Sequence, residues 1–267
     1  MKVTVVTTFN EKGLTTYAQR MIDSFNQNWP KEVTLQLYPE NCKPNIDHVD
    51  NAVLFNLTNV VELMAFKDKW KNIPMATGWC EDSTKAHLDK TQRVGFKWDA
   101  VRFAHKVYSI CHCANRTKSD LLIWMDADTI CHSPITMEEI ERLCPPGKDL
   151  CFLGRKGKYT ECGLYAMNLK SDKVRKFLAK FQRYYDDAEN GIFTLSEWHD
   201  SFVFDVVRKQ FDLNELDWSS NLIAGEGHPL INSDWGAYLD HLKGARKFES
   251  RSKLSDLKVP RTEAYWQ

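Results

Sequence analysis

The stretch Asp120-Leu121-Leu122-Ile123-Trp124-Met125-Asp126-Ala127-Asp128-Thr129-Ile130 decides the reading of this chain. Five consecutive apolar residues, bounded by a charge on one side and by carboxylates on the other, predict a short strand buried on both faces, as in a parallel sheet. A buried strand that stops in Asp-x-Asp sets two carboxylates at the carboxyl edge of the sheet, where open α/β folds place their ligands. Residues two apart in extended chain point the same way, so Asp126 and Asp128 can converge on one hard cation. Their mutual repulsion calls for that cation or another positive group. The competing reading is a pair of turn-forming or helix-capping aspartates.

Upstream, Lys2 to Phe9 reads as a β-branched strand, Asn10-Glu11-Lys12-Gly13 as its turn, and Leu14 to Phe25 as a helix with apolar residues at helical period. Strand, turn and helix in that order open an α/β domain. The loop Thr7-Thr8-Phe9-Asn10 then sits at the ligand edge, where its hydroxyls and amide can hold a base or ribose, or simply form a capped polar turn. Val33 to Tyr38 alternates as a second strand. Neither strand is followed by G-x-G-x-x-G or a Walker A loop, which disfavours dinucleotide and P-loop chemistry.

Ala52 to Trp70 reads as a helix, Ile73 to Gly95 as an irregular polar lid or acceptor loop, and Phe96 to Tyr108 as a basic helix ending near Cys113. Lys97 and Arg102, near the start of that helix, can reach a diphosphate or remain solvated. Beyond the Asp-x-Asp, Ser133-Pro134-Ile135 turns the backbone away from the sheet edge. Leu150 to Leu153 and Glu161 to Leu169 read as strands, Gly163 marking a close backbone approach, and Ser171 to Tyr185 as a long amphipathic helix. Glu197, His199 and Asp200 head an apolar helix, where the dipole alone favours acids. Finally, Tyr238-Leu239-Asp240-His241-Leu242-Lys243-Gly244-Ala245-Arg246-Lys247 carries an imidazole, a glycine and a lysine at three-residue spacing. That set suits manganese ligation, close backbone approach and neutralisation of a phosphate.

Composition bounds the answer. The 267 residues suffice for a substantial core, and 43% hydrophobic with 27% charged residues are ordinary globular values. Lysine plus arginine and aspartate plus glutamate cancel at 36 each, so no net field draws in nucleic acid. No signal peptide and no membrane-spanning run are visible, and the eight cysteines form no C-x-x-C pair, which together predict reduced thiols and a cytoplasmic protein. Cys111-His112-Cys113 with Cys131-His132 lacks the ligand spacing of a zinc finger or ribbon.

Taken together, Trp124-Met-Asp-Ala-Asp-Thr, Glu161-Cys-Gly-Leu-Tyr-Ala-Met-Asn-Leu, His199-Asp200-Ser201 and His241-Leu-Lys-Gly-Ala-Arg-Lys247 resemble, in order and spacing, the glycogenin and lipopolysaccharide galactosyltransferase family of retaining glycosyltransferases. The resemblance implies a GT-A, Rossmann-like α/β fold in one domain around a mostly parallel sheet, here residues 1–250 with 251–267 as a tail. It implies a nucleotide diphosphate sugar donor, UDP-linked, held with Mn2+ or Mg2+. Carried over, Asp126, Asp128 and His241 are the metal ligands, and Lys97, Asp126, Gly244 and Lys247 meet the diphosphate. Thr7, Thr8, Phe9 and Asn10 lie where the nucleotide base is met, and Asp200, with Glu161 as the other carboxylate, stands beside the donor sugar. The acceptor is unidentified. Two rival readings are a DNA-modifying glycosyltransferase, allowed by the basic residues from Lys243 to Arg261, and a non-catalytic nucleotide-sugar binder.

Overall fold

The computed structural model describes residues 1–79, 95–220 and 228–267. Its centre is a seven-stranded sheet in the order β3-β2-β1-β4-β7-β6-β8. The strands are β1 (Val3–Asn10), β2 (Thr34–Glu40), β3 (Ala52–Leu54), β4 (Leu121–Met125), β6 (Leu150–Leu153), β7 (Glu161–Asn168) and β8 (Glu215–Asp217). Pairings β1–β2, β2–β3, β1–β4 and β6–β8 are parallel, and only β7 runs against its neighbours β4 and β6. This is the mixed α/β architecture with a mostly parallel sheet that the sequence predicts. A separate two-stranded ribbon pairs β5 (Thr129–Cys131) with β9 (Leu239–His241).

The continuous apolar run of β4 is explained by its position. Leu121, Ile123 and Met125 enter one hydrophobic cluster and Leu122 and Trp124 the other, so both faces of the strand are covered. One cluster is closed by helices α2 (Val61–Trp70), α3 (Ala100–Arg116), α5 (Asp172–Asp186) and α6 (Asp200–Arg208). The other is closed by α1, a continuous run made of Glu11–Gly13, Leu14–Ala18 in π geometry and Gln19–Asn28, and by α4 (Met137–Leu143).

Two boundaries differ from the expectation. The stretch from Ala52 to Trp70 is not all helix: Ala52–Leu54 forms the edge strand against Leu35–Leu37, and Asn56 then accepts from the Thr58 amide, which ends extended chain in a tight turn. The helix begins only at Val61. Likewise Phe96–Trp98 is a 3-10 turn, because Asp99 accepts from the Arg102 amide and starts α3 after itself. Most of the lid expected between Ile73 and Gly95 lies outside the described residues. Residues 251–267 lie against the body of the domain, and Trp266, 3% exposed, donates its indole N–H to the Gly236 carbonyl at 2.9 Å. No helix among the described residues is long and apolar enough to cross a membrane.

Candidate metal and donor site

Because β1 and β4 are parallel with Val6 beside Trp124, their carboxyl ends open on the same edge. There the chain forms a cleft of about 720 Å3 whose lining includes Thr8, Phe9, Asn10, Tyr17, Arg102 and Lys106 together with Asp126, Asp128, Asp200 and Lys247. That volume falls within the roughly 300–1,000 Å3 usual for small-molecule sites.

The ribbon delivers the imidazole. Thr129 pairs with His241, and the Leu242 amide donates to the Asp128 carbonyl at 2.8 Å, so residues over a hundred positions apart become neighbours. His241 Nε2 lies 3.1 Å from Asp128 Oδ1 and 3.6 Å from Asp126 Oδ2. Ligand atoms of all three residues fall within 4.8 Å of one another, the one such His/Cys/Asp/Glu cluster among the described residues. Cys111 and Cys131 lie in opposite hydrophobic clusters, so the Cys-His stretches do not converge.

Two carboxylates and an imidazole form a donor set that suits Mn2+ or Mg2+ with the remaining positions left to water or phosphate oxygen. The buried Nδ1 of His241 has no hydrogen-bond partner, and the ring is held by its surroundings. His228 packs edge-on at 5.3 Å, Glu161 Oε1 lies 3.8 Å from Nδ1, and Gly163 backs the ring. Burial disfavours a charged Asp128, but His241 and Lys247 outweigh it and hold the carboxyl well below its ordinary range. Burial likewise opposes a charged His241, and Asp128 overcomes it, raising the imidazole above its usual value.

Gly163 gives a direct probe. A Cβ there would come 2.5 Å from both Cε1 and Nδ1 of His241. Gly163→Ala is therefore expected to displace the ring and weaken Mn2+ binding about 10–100-fold, with the far-ultraviolet circular dichroism of the parent chain retained. Calorimetric titration with Mn2+ checks it; unchanged affinity would show that the ring does not need its place.

Lys247 Nζ lies 2.7 Å from Asp128 Oδ2 and 4.8 Å over the Tyr17 ring. The turn that returns it runs through Gly244 at φ +59°, a conformation glycine adopts without steric cost. Arg20 holds the same turn by donating to the Lys247 carbonyl at 2.6 Å. Asp200 sits at the first turn of α6, and its Oδ2 accepts from Lys106 Nζ at 2.7 Å.

Lys106 is the residue that sequence reading missed. It is 7% exposed and also contacts Asp126 Oδ1 at 3.1 Å and the Cys162 carbonyl, which joins the Asp-x-Asp to Asp200 through one cation. Burial opposes its charge, but Asp126 and Asp200 overcome it and raise the ammonium well above its ordinary value. The available signal was the spacing Asp99, Arg102, Lys106, one face of a helix feeding the acidic strand.

Other candidates are placed differently. Lys97 pairs with Glu197 at 2.7 Å, and Glu197 in turn accepts from His199 at 2.8 Å, a chain that braces the start of α6. Lys97 is not among the described residues lining the cleft. Thr7 is fully buried, whereas Thr8, Phe9 and Asn10 line the cleft. Asn10 also accepts from the Gly13 amide at 2.9 Å, so the capped-turn reading holds for it as well, whereas Thr8 donates across to the Tyr38 carbonyl of β2 at 2.7 Å. Glu161 is buried behind His241, paired with Lys243 and 3.6 Å from Arg155. Several basic residues toward the carboxyl end are engaged within the chain: Lys243 with Glu161, Arg246 with Asp256, Lys247 with Asp128, and Arg261 with the Ile231 carbonyl.

No family model matches this sequence, and no curated protein matches it. Solved structures similar to it include the WbbM bifunctional glycosyltransferase, at 11% identity and TM-score 0.47 over 81% of this chain and 38% of that one. The glycosyltransferase GlyE of Streptococcus pneumoniae TIGR4 gives 10% identity and TM-score 0.45 over 81% and 45%. Mouse xyloside xylosyltransferase 1 gives 11% and 0.42 over 79% and 82%. The chain spans less than half the length of the first two. At such identities and scores the likeness carries no functional argument, which rests on the site itself.

Proposed function

We propose that this chain is a metal-dependent GT-A glycosyltransferase that moves a hexose from a nucleotide diphosphate sugar, with UDP as nucleotide, to an acceptor hydroxyl with retention at the anomeric carbon. The observation that carries the reading is the convergence of Asp126, Asp128 and His241 beside Lys247 on one cleft.

In this reading Asp126, Asp128 and His241 hold a divalent cation, which supplies Lewis-acid neutralisation of the diphosphate leaving group. Lys247, which lines the same cleft beside Asp128, adds a second positive charge to offset the negative charge that builds on the departing diphosphate. Thr8, Phe9 and Asn10, at the mouth of β1, provide a wall and polar atoms for base and ribose. Asp200 reaches the cleft with a carboxylate steadied by Lys106, and it stabilises the positive charge that develops at the anomeric carbon as the glycosyl bond opens. Glu161, turned toward His241 and Lys243, serves the imidazole rather than the sugar. No general base is needed, because the departing phosphate oxygen accepts the proton from the acceptor hydroxyl.

The reading is tested by thermal shift across a panel of nucleotide sugars, each with Mn2+, without metal and with EDTA. A ligand that binds only the folded chain stabilises it by mass action, about 2.7 kcal/mol at a hundredfold excess over Kd. We expect a UDP-sugar to raise the midpoint with Mn2+ and to lose most of that rise in EDTA. A shift indifferent to metal would overturn the cation's role, and a metal-dependent shift without any turnover of the donor would leave a nucleotide-sugar binder.

A further inference from the structure

Asp240 lies between Leu239 and His241 on the three-residue strand β9 and is fully buried, yet none of the ion pairs among the described residues includes it. It accepts instead from three neutral donors in the segment that follows: the Ser252 amide at 2.7 Å, the Ser252 hydroxyl at 2.6 Å and the Tyr265 hydroxyl at 2.8 Å. The Tyr265 ring stacks on His132 at 4.0 Å with planes 6° apart, and His132 directly follows the partner strand β5. Because Asp240 lies opposite Ile130, Tyr265 thereby touches both strands of the ribbon on the face away from His241.

A ribbon of three residues per strand is marginal on its own. Its register matters more than its stability, because a slip of one residue would turn His241 to the opposite face and bring Asp240 toward Asp126 and Asp128. We infer that Tyr265 and Ser252 are positioning residues of the candidate metal site: by holding Asp240 on the face away from the carboxylates, they hold His241 on the face toward them. Residues 251–267 are then a clasp on the metal-binding ribbon. This inference rests on the proposed assignment of Asp126, Asp128 and His241 as metal ligands.

The test is Mn2+ titration of the full chain followed by electron paramagnetic resonance, well below the unfolding midpoint of every variant. Tyr265→Phe removes one bond to Asp240 and keeps the stacked ring; Ser252→Ala removes another. The matched control is Tyr108→Phe, which deletes a hydroxyl bond of the same 2.8 Å length to Asp186 on the other face of the sheet. We expect Tyr265→Phe and Ser252→Ala each to weaken Mn2+ about tenfold or more, and the control to change it less than twofold. Parent-like affinity in both site variants, or equal weakening in the control, overturns the inference and leaves the metal assignment standing. No Mn2+ binding by the parent chain overturns both.

Discussion

Asp128→Asn is expected to lower metal-dependent turnover of the donor by about 10²–10³-fold, the scale on which loss of one transition-state charge contact acts. Asp128 is the point at which three parts of the chain meet. It lies in the turn that joins β4 to β5, pairs with His241 of β9 at 3.1 Å, and pairs with Lys247 after the Gly244 turn at 2.7 Å. An amide keeps the shape but loses the charge, so Lys247 and His241 then face each other without their shared counter-ion. Both kcat and Mn2+ affinity are expected to fall, whereas the midpoint of thermal unfolding without metal moves far less than either. Steady-state kinetics across a Mn2+ series, with donor hydrolysis as the readout, distinguishes the two effects. Parent-like kcat at saturating Mn2+ would remove Asp128 from the reaction.

Lys106→Met is expected to have the largest effect on stability. The ammonium sits between Asp126 and Asp200, 7% exposed, and is shared with the Cys162 carbonyl. Breaking a buried ion pair by removing one partner costs about 3–5 kcal/mol, because the remaining charge stays desolvated and unpaired. Here two carboxylates are left, although Asp126, 30% exposed at its side chain, retains some access to solvent. Urea denaturation should therefore show a midpoint displaced downward with an unchanged slope. The second substitution Asp200→Asn in the Lys106→Met background should recover part of that loss, since it removes one of the stranded charges. A Lys106→Met midpoint equal to that of the parent chain would show that solvent, not Lys106, neutralises the pair.

The contrast between Lys97 and Lys106 shows what sequence alone can carry. Both precede the acidic strand, nine positions apart, and each reads as a basic residue on a helix that feeds it. Packing separates them: the 3-10 turn at Phe96–Trp98 points Lys97 to Glu197, while Lys106, two helical turns further on, lies over the Trp124 ring at 4.8 Å beside Asp126. The spacing sets Lys106 on one face with Asp99 and Arg102, but that this face meets Asp126 depends on how α3 lies across the sheet.

Asp126 and Asp128 were legible for the opposite reason. A buried apolar strand that ends in acid constrains its neighbours strongly, and both clusters flanking β4 bear that constraint out. His241 was legible only as part of a spaced motif, because its own strand β9 is three residues long and follows its partner β5 by more than a hundred positions. Tyr265 and Ser252 gave no signal, since a short aromatic and polar segment at the end of a chain has no periodicity. The helix read from Ala52 failed up to Val61: pairing with β2 overrode local propensity at Ala52–Leu54, and the turn at Asn56 delayed the helix further.

The central claim is that Asp126, Asp128 and His241 share one divalent cation that in turn holds a nucleotide diphosphate. Its most direct test is anomalous diffraction at the manganese edge from crystals grown with Mn2+ and UDP. The account predicts one strong peak bounded by the Asp126 and Asp128 carboxylates and His241 Nε2, with the diphosphate on its cleft side next to Lys247. Manganese bound at another place in the chain, or UDP bound in the cleft with no anomalous peak at these three residues, would contradict it.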